Sequence, residues 1–302
     1  MERVTCLGLP NCRRLANDDV ELVVTTDVGP RIARYAFHDG ENVLGEAPGP
    51  PMVTPLGAWH ARGGHRLWAA PESRPRTYAP DDEPVAFSCA DDRTIELRAP
   101  VEPATGLEKT ITVMLGPTGS AVLLLHRITN RALWPLRFAP WALTIMAPGG
   151  TAIVPQEPYR TWDEDIAPAR PLVLWHYTDL RDSRFDLGAR HVRLRVDAAR
   201  EAPQKFGVLN TRGWVAYHAG TTLFVKRVAH VPGATYPDFG VNTEVYTAGT
   251  FIELETLGPL VEVAPGDAAT HVEEWRLLRD VAGHDDAIAA AVRPLLDEWT
   301  AD

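Results

Sequence analysis

The sequence predicts an all-β fold: a large antiparallel β-sandwich with one C-terminal helix. Three observations lead there. Short β-branched and aromatic runs with period-two alternation recur along most of the 302 residues. Gly, Pro, Asn and Asp separate them at close intervals. Helical runs do not alternate with strand runs, so the βαβ rhythm of a parallel sheet is missing.

Taken in order, residues 20–26 (VELVVTT) read as a strand, broken by Asp27-Val-Gly-Pro30. Residues 31–37 (RIARYAF) read as the next, ended by His38-Asp-Gly40. Residues 45–80 are long, rich in Pro and Gly and poor in periodicity, and loops of that length are often functional. Within them Trp59, His60, Arg62, His65, Arg66 and Trp68 fall in ten residues, with Gly63-Gly64 allowing close backbone approach. Tryptophan faces stack on sugar C–H surfaces, and Arg and His donate hydrogen bonds to hydroxyls or carboxylates. Strands follow at 85–89, 94–99, 107–115, 121–129 and 136–146. The irregular stretch 149–165 is either a cleft rim or a solvated loop, and 175–182 has the same aromatic and polar character. Residues 191–196 read as a solvated edge carrying His191, Arg193 and Arg195. Residues 205–210 and 213–218 read as a hairpin, and 221–229 (TTLFVKRVA) as a strand with Lys226 among apolar neighbours. At the end, Ile288, Ala291, Val292, Leu295, Leu296 and Trp299 keep helical spacing, with Asp285-Asp286 suited to the helix start. No repeat or linker divides the chain, so one domain over residues 1–302 is expected.

The densest set of strand acids lies at 241–257. Residues 241–247 (VNTEVYT) and 251–257 (FIELETL) both alternate, and Ala248-Gly249 between them suits a two-residue turn. That turn would set Glu244 opposite Glu253 and Asn242 opposite Glu255. One face is then an ordinary core face (Thr243, Val245, Ile252, Leu254, Thr256). The other carries Asn242, Glu244, Tyr246, Phe251, Glu253 and Glu255, either as a solvated polar face or as a lined cleft. Opposed glutamates repel, and relief comes from a cation, a Lys or Arg, or a retained proton. Lys226 is a candidate counter-charge for Glu244 and Glu253. The spacing also permits a Ca²⁺ ion between Glu244, Glu253 and a loop oxygen, without demanding one.

Composition narrows the partners. Apolar residues make up 45%, a globular value, and the formal net charge is −10 without a basic run, which argues against nucleic acid or an anionic membrane. Three cysteines (Cys6, Cys12, Cys89) without framework spacing point to reduced thiols in a cytoplasmic protein. There is no signal-like leader, transmembrane-length apolar run, P-loop, GxGxxG, GxSxG, CxxC or HExxH. No cofactor is expected, and the oligomeric state is not legible.

Residues Phe251-Ile-Glu-Leu-Glu-Thr-Leu-Gly258 resemble the strand of the galactose mutarotase (aldose 1-epimerase) superfamily that carries its catalytic glutamate in a Leu-Glu-Thr setting. Pro265-Gly-Asp267 and Thr270-His-Val-Glu-Glu-Trp275 resemble that family's closing turn and last strand. Gly-Pro-Arg-Ile at 29–32 is similar to its opening hairpin. The resemblance implies a supersandwich, a sugar or oligosaccharide as ligand, and Glu255 as the catalytic base. It points to His65 and Arg66 on a Gly-rich loop, and it aligns Trp141 with, or beside, the position of the family's usual histidine. That departure leaves the acid to His65, with His60 or Lys226 as substitutes. The expected site is thus Glu255 and His65 for chemistry, with Arg66, Trp68, Trp141, Lys226, Asn242, Glu244 and Glu253 around the sugar. Three functions fit: an aldose 1-epimerase-like isomerase, a non-catalytic sugar-binding module, or a carbohydrate hydrolase or lyase with paired carboxylates.

Overall fold

A computed structural model of the chain describes residues 1–299, with the side chain of Trp299 outside the described residues. Two large antiparallel sheets face each other. The first has eleven strands, and its middle runs Arg31–Phe37, His65–Ala70, Leu136–Met146, Phe251–Leu257, Thr243–Ala248 and Gln204–Val208. The second has ten, with Leu107–Leu115, Val122–Asn130, Ala268–Leu278, Thr222–Arg227 and Trp214–Ala219 at its centre. Their inner faces interdigitate through Tyr35, Leu67, Val113, Phe224, Leu254 and Trp275, all buried. Stacked alternating strands are what the period-two pattern demands. The helix Asp285–Trp299 lays Ile288, Val292 and Leu295 on Ile153, Trp214 and Val225 of the second sheet. Among the described residues no helix is long and apolar enough to cross a membrane.

Four expectations are corrected. Residues 45–80 are not structureless: short pairs form at Glu46–Ala47 with Arg62–Gly63 and at Met52–Thr54 with Gly57–Trp59, and His65–Ala70 is an interior strand of the first sheet. Buried strands on both faces show no alternation, which hid it. Gly63 and Gly64 do permit a close approach, but of backbone to backbone. A Cβ on Gly64 would sit 2.2 Å from the Ile32 carbonyl oxygen.

Residues 205–210 and 213–218 do not form a hairpin. Gln204–Val208 pairs with Thr243–Ala248 in the first sheet and Trp214–Ala219 with Thr222–Arg227 in the second, the chain crossing at Asn210. Asn242 secures this crossing: its Oδ1 accepts from Asn210 N at 2.7 Å and its Nδ2 donates to Asn210 O at 3.1 Å. His191 and Arg193 do not form a solvated edge. Both hold Asp285 at the helix start, His191 Nδ1 at 2.8 Å.

The turn of the 243–257 hairpin is Gly249-Thr250, not Ala248-Gly249. Gly249 takes φ +55°, Ala248 faces Phe251, and Glu244 faces Glu255 rather than Glu253. Placing glycine first among the turn residues satisfies its positive φ without straining Ala248. The shift is by two in register, so each side chain stays on its predicted face.

Candidate functional site

Alternation along the central strands of the first sheet gives two chemically different faces. The outer face forms the floor of a cleft of ≈ 430 Å³. Arg66 and Trp68 reach it from one strand, Trp141 from the next, and Glu253 and Glu255 from the third. Lys205 closes the far side, and Trp59, Trp175, Tyr177 and Tyr246 supply walls. No histidine lines the cleft among the described residues.

Charge in the cleft is paired in two sets. Arg66 Nη1 stands 2.8 Å from Glu253 Oε1, an ion pair without hydrogen-bond alignment, and its guanidinium lies 4.3 Å from the centre of the Trp68 ring. The second set is a triad. Lys205 Nζ is 2.7 Å from Glu244 Oε2 and 2.9 Å from Glu255 Oε2. Trp141 Nε1 donates to the same Glu255 oxygen at 2.9 Å. The ammonium also sits between two indoles, 4.9 Å from Trp141 and 4.7 Å from Trp175. Glu255 Oε1 is buried and has no partner.

Two buried carboxyls around one ammonium hold one charge more than it neutralises. Burial pushes the carboxyls of both Glu244 and Glu255 up against the pull of Lys205, Glu244 the further. Burial alone would push Lys205 down, but the two glutamates outweigh it and hold the ammonium well above the lysine range. The state that fits all three is a charged Lys205, an ionised Glu255 and a proton kept by Glu244. Such a cleft presents apolar ring faces and hydrogen-bond donors, with the unpartnered Glu255 oxygen buried beneath them.

Of the residues singled out in the sequence, Arg66, Trp68, Trp141, Glu253 and Glu255 are brought together here. Glu244 lies behind Lys205, wholly buried, and does not line the cleft. A Ca²⁺ ion between Glu244 and Glu253 does not fit, because an ammonium and a guanidinium already engage these carboxylates. His60 pairs with Asp82 at 3.3 Å, away from the cleft. The stretch 149–165 does not line the cleft, whereas Trp175 and Tyr177 do.

His65, Lys226 and Asn242 are absent from the cleft. Asn242 is the crossing clamp described above. His65 and Lys226 face the space between the sheets, where they join a chain of polar groups. His126 Nδ1 donates to the His271 carbonyl at 3.0 Å. Burial keeps His126 neutral, so its Nε2 accepts, and His65 Nε2 donates to it across 2.7 Å. His65 Nδ1 then accepts from Thr144 Oγ1 at 2.9 Å, which accepts from Lys226 Nζ at 2.6 Å. Lys226 pairs at 3.1 Å with Glu273, not with Glu244 or Glu253. Glu273 also accepts from Trp275 Nε1 at 2.9 Å and from the Thr256 hydroxyl. Ligand atoms of His65, His126 and Glu273 fall within 4.8 Å of one another. Their lone pairs and protons are committed to this chain, and Lys226 already supplies its cation.

Lys205 is the site residue that sequence reasoning missed. A signal existed: the chain has only three lysines, Lys109, Lys205 and Lys226, and the last two both sit in apolar strands. A wrong hairpin partner for residues 205–210 placed Lys205 far from the acids.

No protein-family model matches the chain, and no curated protein matches it in sequence. Solved structures do match in shape. A galactose mutarotase-like protein from Lactobacillus casei superposes with a TM-score of 0.56 at 11% identity, covering 89% of this chain and 100% of that one. A galactose mutarotase-like protein from Clostridium acetobutylicum gives 0.55 at 8% identity, over 92% and 98%. A galactose mutarotase related enzyme from Lactobacillus acidophilus gives 0.51 at 8%, over 89% and 98%. The fold is therefore the galactose mutarotase-like sandwich.

Proposed function

We propose that this protein binds a saccharide in the cleft and exchanges its anomers, with Glu255 as the base. The observation that carries the reading is the state of Glu255. One oxygen is fixed by Lys205 and Trp141, and the other is buried and unpartnered, on a residue that lines the aromatic cleft. A free, oriented carboxylate oxygen beside indole faces suits the anomeric hydroxyl of a sugar stacked on those rings. The Arg66–Glu253 pair offers donors and acceptors to the remaining hydroxyls. The fold supports a carbohydrate-related role by analogy only, since fold does not set chemistry.

A sugar-binding module without chemistry is the second reading. It is favoured by Trp141, which stands at or beside the position where the resemblance leads one to expect a histidine. Exchange-transfer NMR on D-galactose and D-glucose separates the two. Catalysed anomer exchange is expected with the wild type, falling at least about 100-fold in Glu255→Gln, the usual contribution of a positioned base. Saturation transfer to the sugar without faster exchange would establish the binding module instead. An unchanged rate in Glu255→Gln would remove Glu255 from the role.

A further inference from the structure

We infer that Lys205 is the acid that protonates the sugar ring oxygen, the role that the resemblance gives to a histidine. This rests on the anomeric chemistry proposed above.

Anomer exchange needs a base at the exocyclic oxygen and an acid at the ring oxygen. Both oxygens are bonded to the anomeric carbon, so the two groups must be neighbours in the protein. Lys205 Nζ lies 2.9 Å from Glu255 Oε2 and, among the described residues, is the proton-bearing group beside Glu255 that also lines the cleft, apart from the Trp141 indole N–H. Glu244, which keeps its proton beside Glu255, lies behind Lys205 and does not reach the cleft. Other proton-bearing groups of the cleft fit less well. The guanidinium groups of Arg66 and Arg74 do not release protons. Tyr78 gives its hydroxyl proton to Glu72. Tyr246 stands opposite Glu253, one residue pair away from Glu255 along the face. Tyr177 packs edge-on against the Tyr246 ring at 6.5 Å on the same side of the cleft and, among the described residues, makes no hydrogen bond to Glu255.

The step balances without a co-reactant. As the bond from the anomeric carbon to the ring oxygen breaks, its electron pair goes to the ring oxygen, which takes a proton from Lys205 Nζ. The anomeric O–H gives its proton to Glu255 Oε1, and its electrons form the aldehyde C=O. After rotation about the bond to the next carbon, closure on the other carbonyl face runs the transfers backwards, and both residues regain their starting states. An alkoxide is a stronger base than an amine, so even a strongly held ammonium proton moves in the required direction. The Trp141 and Trp175 rings on either side of the ammonium limit its movement and fix where the proton is delivered. Glu244 touches Lys205 from behind and acts as a positioning residue.

The test is exchange-transfer NMR with D-galactose and D-glucose on the full chain. Lys205→Met leaves two buried carboxyls without their cation, so it is paired with Lys205→Met/Glu244→Gln, which removes that strain. The expected result is a loss of at least about 100-fold in exchange rate, with saturation transfer to the sugar retained. Small ammonium ions of graded acidity should restore part of the rate to Lys205→Ala in proportion to their acidity, a dependence that a purely structural cation would not show. A rate within a few-fold of wild type in the double variant, while Glu255→Gln has lost it, overturns the assignment and leaves the proposed function standing. Loss in Tyr246→Phe or Tyr177→Phe alone moves the acid role to that tyrosine and likewise overturns it. No acceleration of either sugar by the wild type overturns the epimerase reading, and the assignment with it.

Discussion

Glu273→Ala should lower the unfolding free energy by about 3–5 kcal/mol, the usual result of leaving one member of a buried ion pair alone. Glu273 is wholly buried between the sheets. Lys226 at 3.1 Å, the Trp275 indole N–H at 2.9 Å and the Thr256 hydroxyl all converge on it. Burial would raise its pKa, but the Lys226 ammonium outweighs that and holds the carboxyl far below its ordinary range. Removing it strands an ammonium and two donors in an apolar interior. Glu273→Gln keeps hydrogen-bonding capacity and should fall between wild type and Glu273→Ala. Urea denaturation measures all three, and a loss below about 1 kcal/mol for Glu273→Ala would show that the interior relaxes or hydrates to accommodate the stranded cation.

Acid should destabilise this protein from about pH 6.5 downward, well above the carboxylate range. His65, His126 and His271 are buried and their pKa values are lowered, His271 to about 3, with burial the leading cause in each. The sign follows from linkage. In the unfolded chain these rings take protons near pH 6.5, and in the folded one they do so only at lower pH. The stability they contribute is thus complete above pH 6.5 and is lost as pH falls toward the folded values. Each histidine costs about 1.4 kcal/mol per pH unit across that window, so His271 alone accounts for about 2 kcal/mol by pH 5. Glu244 and Glu255, with raised pKa values, pull the other way as they protonate. Urea midpoints at pH 7.5, 6 and 5 should fall steadily, and more steeply in Glu244→Gln, which lacks the larger opposing group. A profile that stays flat in Glu244→Gln as well would mean that these rings titrate as they do in solvent.

The sandwich was legible because alternation survives wherever a strand has one wet face. Residues 94–98 and 107–115 alternate buried with more exposed side chains, and 251–257, almost wholly buried, still alternates the acids Glu253 and Glu255 with the apolar Ile252 and Leu254. It failed at His65–Ala70, buried on both faces and adjoining a Pro- and Gly-rich stretch. The acids of the cleft were visible on one face of a hairpin, since a two-residue slip in register leaves faces unchanged. What could not be seen was which cation met them. Lys205 and Lys226 look alike in sequence, each among apolar neighbours, and only the pairing of Gln204–Val208 with Thr243–Ala248 brings Lys205 to Glu244 and Glu255. His65 and Arg66 are adjacent, so a motif spanning both pointed to one site, although alternation sends them to opposite sides of the sheet.

Of nine tryptophans, four line the cleft, and two of these flank the Lys205 ammonium. The cleft is consequently its own optical reporter. A ligand that displaces water from Trp175, the half-buried one of the four, should move part of the emission of the unlabelled protein to shorter wavelength and should saturate on titration. The interior Trp275, held by Glu273, would supply a steady background. A colourless molecule could then be screened against this cleft by fluorescence alone, before its chemistry is known, with Trp141→Phe and Trp175→Phe showing which indole carries the signal.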